Sequence, residues 1–211
     1  MRRAAIPLLL LLVVACHPQV PPDVLRQWQG PQRYTCCNLH YEGPAINDAN
    51  YTVGALLPLG TPVTVKGMTS DSVTFAAGAT ELTLTHAYGT QQESAQQYFA
   101  KVLVDADPRA RLATFSPSVQ AAINNGRVEK GMTREQVVLS LGYPPTHRTA
   151  TLDQATWTYW YNRWVTYTVT FDANGYVSAI EGTDAPTDHQ PVSQVAPPTA
   201  KPARGAPRKK R

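Results

Sequence analysis

A chain of 211 residues is long enough for one large domain or two small ones with a real hydrophobic core. Its 18 prolines and 16% charged residues exclude a coiled coil and a highly charged disordered chain. The net charge of +4 sits at the ends: Arg2 and Arg3 open the chain and six basic residues crowd positions 201–211, leaving 11 basic against 13 acidic residues from Cys16 to Gly182. A slightly acidic body has no basic face to spare for phosphates, so nucleic-acid recognition is excluded as its task.

Residues 1–15 read as an export signal. Arg2-Arg3 precede an apolar stretch from Ile6 to Val14 that is too short to span a bilayer. Val13-Val14-Ala15-Cys16 looks like the lipobox of bacterial lipoproteins, with cleavage before Cys16 and acylation of its thiol. Two or three acyl chains would anchor the protein stably. His17, in place of the Asp that retains lipoproteins in the inner membrane, favours the outer membrane, with the body on its periplasmic face. Residues 16–33 carry four prolines and no sustained periodicity, and are expected to be a lipidated tether.

Cys36 and Cys37 are adjacent, with His40 close behind. One reading is a soft-metal or redox site made of these three with a fourth ligand such as His86. The other is a pair of buried sulfurs on a strand, free or oxidised, and the spacing matches no common zinc pattern, so no metal or other cofactor is expected. From Tyr34 the pattern is short and strand-like. Tyr51–Leu57, Thr61–Lys66 with Val63 and Val65 on one face, Ser72–Phe75, and Glu81–His86 with Leu82 and Leu84 inward predict a small antiparallel β module over residues 34–93.

The period then lengthens. Ser94 caps a helix whose apolar side is Ala95, Tyr98, Phe99, Val102 and Leu103, and Asp107-Pro108 ends the segment. Asp105 and Asp107 read better as part of that stop than as cation ligands. Ser116-Pro117 opens a helix through Val119, Ala122 and Ile123 that stops at Asn125-Gly126. Thr133 and Gln136 form a capping box for another, with Val137, Val138 and Leu141 apolar and Gly142 at its end. A three-stranded meander follows, from Ala155 to Tyr161, Trp164 to Phe171 and Tyr176 to Ile180, with a tight turn at Asn174-Gly175. The two helices are the available cover for one face of that sheet.

These residues carry a resemblance. The segment from Val128 to Pro145 with its Gly131-Met132-Thr133 cap and Leu141-Gly142 exit, the strand Trp157-Thr158-Tyr159 and the hairpin Phe171-Asp172-Ala173-Asn174-Gly175 resemble the SmpA/OmlA (BamE-like) outer-membrane lipoprotein family over about residues 118–182. The resemblance leaves the β module before it unaccounted for and implies a BamE-like two-helix, three-stranded domain, which with a helical connector spans residues 94–182; together with the antiparallel β module the expected fold is α+β. The resemblance also implies a non-enzymatic scaffold or accessory in outer-membrane protein assembly or envelope maintenance, with barrel-assembly subunits or anionic phospholipid as partners.

Catalytic patterns are missing from the sequence: there is no nucleophile elbow, no His-Glu-x-x-His helix and no phosphate-binding glycine loop. Binding is therefore sought among the aromatics of the meander. Trp157 and Trp160 point to opposite faces, so one of them, with Arg163 and Trp164, is the candidate partner or lipid-headgroup surface. Residues 183–211 form a Pro/Ala-rich tail expected to be disordered, whose Arg208, Lys209, Lys210 and Arg211 suit an anionic surface. Two other readings stay open: a peptidoglycan-binding lipoprotein, and a thiol- or metal-handling protein centred on Cys36 and Cys37.

Overall fold

The structure, a computed structural model, describes residues 20–187. The export signal, Cys16 and the cationic cluster from Arg208 to Arg211 lie outside the described residues. Two hydrophobic cores organise the rest.

The first core lies on one side of a β meander. β5 (Pro62–Met68), β6 (Ser72–Ala77) and β7 (Thr80–Thr85) alternate buried and outward residues, and their antiparallel register sets Val65 opposite Phe75, Phe75 opposite Leu82 and Val73 opposite Leu84. All five are buried, as a period of two with one covered face requires. The sheet is larger than the sequence predicts. β1 (Arg33–Thr35) pairs antiparallel with β5, β8 (Leu103–Val104) adds beyond β1, and β3 (Ala45–Asn47) joins the far edge in parallel with β7. These three strands have two or three residues each, too few to show an alternation. β2 (Leu39–Tyr41) and β4 (Ala55–Leu57) form a separate antiparallel pair.

Part of the expected tether is folded. α1 (Pro22–Gln29) starts at Pro21-Pro22, where the fixed proline φ suits a helix start. Val24, Leu25 and Trp28 rest on the first core, the Arg33 guanidinium lies 4.2 Å from the Trp28 ring centroid, and Gln29 donates to the Lys66 carbonyl at 2.8 Å. Eight residues are too few for a helical period to stand out, and such a helix depends on docking for its stability. α2 (Ala95–Val102) has the Ser94 cap, completed by Gln97 as a capping box, and buries Tyr98, Phe99 and Val102 in this first core.

The second core belongs to α4 (Pro117–Asn124), α5 (Arg134–Leu141) and the antiparallel sheet of β9 (Thr156–Trp160), β10 (Thr166–Phe171) and β11 (Val177–Glu181), with a single turn, α3 (Arg109–Leu112), leading in. Register places Trp157 opposite Val169 and Tyr159 opposite Tyr167 beneath the helices. Thr133 and Gln136 form the expected capping box. α5 buries Val137 and Leu141 but also Leu139 and Ser140, while Val138 is only half-buried. The reason is that α5 lies between its own sheet and the first body.

Two buried asparagines join the bodies. The last carbonyls of a helix have no partner within it. Here the Asn38 side-chain amide donates to Ile123 O of α4 at 2.6 Å and Ser140 O of α5 at 3.0 Å, and its backbone N–H donates to Leu139 O at 3.0 Å. Its Oδ1 accepts the Leu59 N–H at 2.9 Å. Asn50, at a left-handed φ of 47° that asparagine tolerates well, donates to Leu141 O at 2.8 Å and Asn38 O at 3.1 Å. Gly142 follows α5 at a φ of 79°, and a Cβ there would lie 2.7 Å from the Asn50 amide nitrogen. His40 sits at the same junction, with its N–H on Asn50 Oδ1 at 2.7 Å. Burial pushes its imidazole down from 6.5 to about 4.

Candidate functional site

The aromatics of the meander separate into two sets. Trp157 is fully buried, its ring 4.6 Å from Phe171 and 6.5 Å from Tyr159, so it belongs to the core and not to a partner surface. Its alternation with Trp160 puts the latter on the outer face, as the period of a strand demands. Arg163 and Trp164 stand at the tip between β9 and β10. The Asn162 side chain accepts N–H bonds from Trp164 at 2.8 Å and Val165 at 3.0 Å, a local turn that projects Trp164 outward with 83% of its surface exposed.

The outer face of Trp160 is extended by residues from three other segments. The His147 ring stacks 6.3 Å from Trp160, Tyr88 lies 5.4 Å from His147, and the Tyr88 and Tyr51 hydroxyls meet at 3.1 Å. The Arg148 guanidinium sits 5.9 Å from the Trp160 ring. Trp160 is half-buried and its indole N–H, shielded from solvent, has no partner among the described residues. His147 is held by the turn in which Arg148 and Thr149 donate to Pro145 O, and Thr149 in turn accepts the Thr158 N–H of β9 at 3.0 Å. Tyr88 is held from the first body, its N–H donating to the Asp48 carboxylate at 2.9 Å. Asp48 faces His86 Nδ1 at 2.7 Å, and the His86 ring stacks 5.0 Å from Tyr98.

This row of rings is edged by cations. Arg148 and Arg163 form no ion pair among the described residues, whereas Arg33, Lys101, Arg109 and Arg111 each face a carboxylate. Desolvation, then the charge of Arg148, holds His147 below its usual range. Burial and the Tyr88 hydroxyl raise Tyr51, while Arg163 pulls it the other way, which places Arg163 within electrostatic reach of the row. The surface therefore offers rings, hydroxyls and two guanidiniums, a combination suited to an anionic partner with apolar groups. The sequence names Trp160, Arg163 and Trp164 as candidates. Tyr51, Tyr88, His147 and Arg148, which the structure places beside Trp160, lie in irregular segments where no periodicity marks them.

The other sequence candidates do not converge. Cys36 and Cys37 are joined to each other in a disulfide, His40 lies under Asn50, and His86 is engaged by Asp48. Among the described residues no group of three or more His, Cys, Asp or Glu is placed to hold a metal ion. Asp105 pairs with Arg33 at 2.9 Å and Asp107 with Arg109, so each carboxylate is taken up locally.

Comparison with known families locates the resemblance. No curated protein and no solved structure matches the chain. The family model described as the outer membrane protein assembly factor BamE domain matches residues 124–181, from the last residue of α4 to the end of β11, so α5, the meander and the Trp160–Trp164 tip are a BamE-like segment while Tyr51 and Tyr88 come from outside the match.

Proposed function

We propose that this protein is a non-enzymatic lipoprotein of the outer membrane, anchored on its periplasmic face through acyl chains on Cys16, that serves as a scaffold or accessory in outer-membrane protein assembly. The observation that carries the reading is an exposed aromatic and cationic row centred on the tip of the BamE-like segment. Tryptophan and arginine dominate protein interfaces because they combine large apolar area with directed polar contacts. Trp164 is the projecting group, Trp160 with His147 and Tyr88 is the platform, and Arg148 and Arg163 meet acidic groups of a barrel-assembly subunit. The tail cations Arg208 to Arg211 add attraction to the anionic envelope.

The test is affinity capture from detergent-solubilised envelopes of the producing cells, comparing the wild-type chain with Arg163→Glu and Trp164→Ala variants. Recovery of barrel-assembly subunits by the wild type and their loss from the variants is the expected result. Equal recovery by all three removes the surface from the interaction, and recovery of anionic phospholipid alone makes the headgroup its occupant. Cys16→Ser is expected to abolish acyl labelling and membrane fractionation, and unchanged labelling overturns the anchoring.

A further inference from the structure

We propose that the Cys36–Cys37 disulfide is a thiol-exchange site whose opening loosens the Asn38 connection between the two bodies. The pair lies between β1 and β2 and directly precedes Asn38. Cys37 is fully buried, whereas Cys36 is 7% exposed and borders a groove of about 410 Å³. Val138, Leu139, Tyr143, Leu152 and Trp157 form the rest of its apolar wall. Of the two cysteines, Cys36 and not Cys37 lines the groove. Arg134 and Glu135 also line it; the Arg134 guanidinium lies 4.6 Å from the Phe171 ring and donates to Gln154 O at 3.3 Å, and Arg111 neutralises Glu135 at 2.7 Å, so no unpaired carboxylate of the lining opposes an approaching thiolate.

The reactant is a protein dithiol. Its thiolate attacks the Cys36 sulfur, the S–S bond breaks, and the electron pair leaves on the Cys37 sulfur, which takes a proton. The second thiol of the reactant then attacks its own partner sulfur in the mixed disulfide and releases Cys36 as a thiol. Two electrons have passed from the dithiol, now a disulfide, to the cysteine pair.

The structural consequence follows from what flanks the pair. Cys36 N–H donates to Val102 O at the end of α2 at 2.8 Å, and Asn38 N–H donates to Leu139 O of α5. A ring closed through the Cys36–Cys37 peptide bond restricts the backbone between these two attachments. Opening it returns conformational freedom to the residue adjoining Asn38, and that freedom must be lost again each time the Asn38 bonds form. The connection to Ile123, Ser140 and Leu59 weakens while the β5–β6–β7 meander keeps its ladder.

The experiment treats the full chain under native conditions with dithiothreitol, then alkylates, weighs the protein, and follows amide hydrogen exchange. Two added alkyl groups on Cys36 and Cys37 and a roughly tenfold faster exchange at the Asn38 and Leu59 amides are expected, with the Phe75 and Leu82 amides unchanged. Reoxidation should restore the slow exchange. A Cys36→Ser, Cys37→Ser variant should show the fast exchange without reductant. Cysteines that stay unalkylated at excess dithiothreitol, or reduced protein whose Asn38 and Leu59 amides exchange as before, overturns the proposal. If the double variant does not fold, the reversible measurement on the wild-type chain decides alone.

Discussion

The two cores are built from different kinds of order. The second is aromatic and local: Trp157, Tyr159, Tyr167 and Phe171 come from consecutive strands of one meander, covered by the two helices just before it. The first is mainly aliphatic and assembled from distant segments, with β1 pairing both β5 and β8 and β3 running parallel to β7. It also buries polar groups, Asp48 with His86 and the junction residues Asn38, His40 and Asn50. The difference teaches a dependence. The BamE-like segment has its own core, but the Ser140 and Leu141 carbonyls that end α5 accept from asparagines of the other body, and Ile123 O of α4, already bonded by Gly126 N–H, accepts a second bond there, so the second region borrows its α5 cap from the first.

The largest test strikes the second core. Trp157→Ala empties a fully buried site, and the expected cost is about 4–5 kcal/mol, the upper part of the range for deleting an aromatic ring. Chemical denaturation should show the loss, and if the two bodies are separable it should unfold α5 and β9–β11 while the first sheet persists. A single coincident transition means that the first body in turn needs the second.

Next comes the junction itself. Asn38→Ala removes two donors and one acceptor and leaves Ser140 O and Leu59 N–H without a partner, while Ile123 O keeps the Gly126 N–H at 2.9 Å, which should cost about 2–3 kcal/mol. Asn50→Ala removes a bond to the Asn38 backbone carbonyl that Asn38→Ala leaves in place, so the double variant tests whether the two residues couple through the end of α5 that both of them bond. An Asn38→Ala cost below about 1 kcal/mol in denaturant melts would show that water replaces the borrowed caps and that the two cores stand independently.

Which of these features could be read in advance follows the same division. The Thr133–Gln136 box, the Asn174-Gly175 turn and the alternation from Trp157 to Tyr161 are signals within a few residues of the structure they specify, and the structure contains each of them. β1, β3 and β8 have no such signal, because a strand of two or three residues is defined by its neighbour's free edge and not by its own pattern. α1 was hidden in the same way, since proline content suggested a tether and only docking on β5 reveals Trp28 as a core residue. At the candidate surface, alternation separated Trp157 from Trp160 without saying which was buried. Tyr88 and His147 reached Trp160 only through turns fixed by Asp48 and Pro145.

The junction should also respond to acid. His40 is buried and neutral, its folded value near 4 against an unfolded 6.5, so between those values the unfolded chain binds a proton that the folded chain does not. Stability is therefore complete above about pH 6.5 and declines as pH falls toward 4, by about 3 kcal/mol in all. Denaturation midpoints measured across that window should slope accordingly, and His40→Gln should remove most of the slope. Asp48, raised by desolvation, works in the opposite sense: the folded state disfavours its charge, which adds relative stability at the acid end and partly offsets His40. A slope unchanged in His40→Gln would assign the acid response elsewhere.

The smallest effect on folding belongs to the surface where the largest effect on binding is expected. Trp164 is 83% exposed and Arg163 makes no ion pair among the described residues, so Trp164→Ala and Arg163→Glu should each change stability by less than about 0.5 kcal/mol. A truncated interface anchor nonetheless costs about 2 kcal/mol or more in binding, roughly a thirtyfold loss of affinity for the captured subunit. Arg148→Glu, on the same row but supported by the Trp160 ring, separates charge from projection: it should weaken binding mainly at low salt, where guanidinium–carboxylate attraction is least screened. If all three variants melt like the wild type and still bind like it, the exposed tip is surface without a task, and the contrast between the cores is one of folding alone.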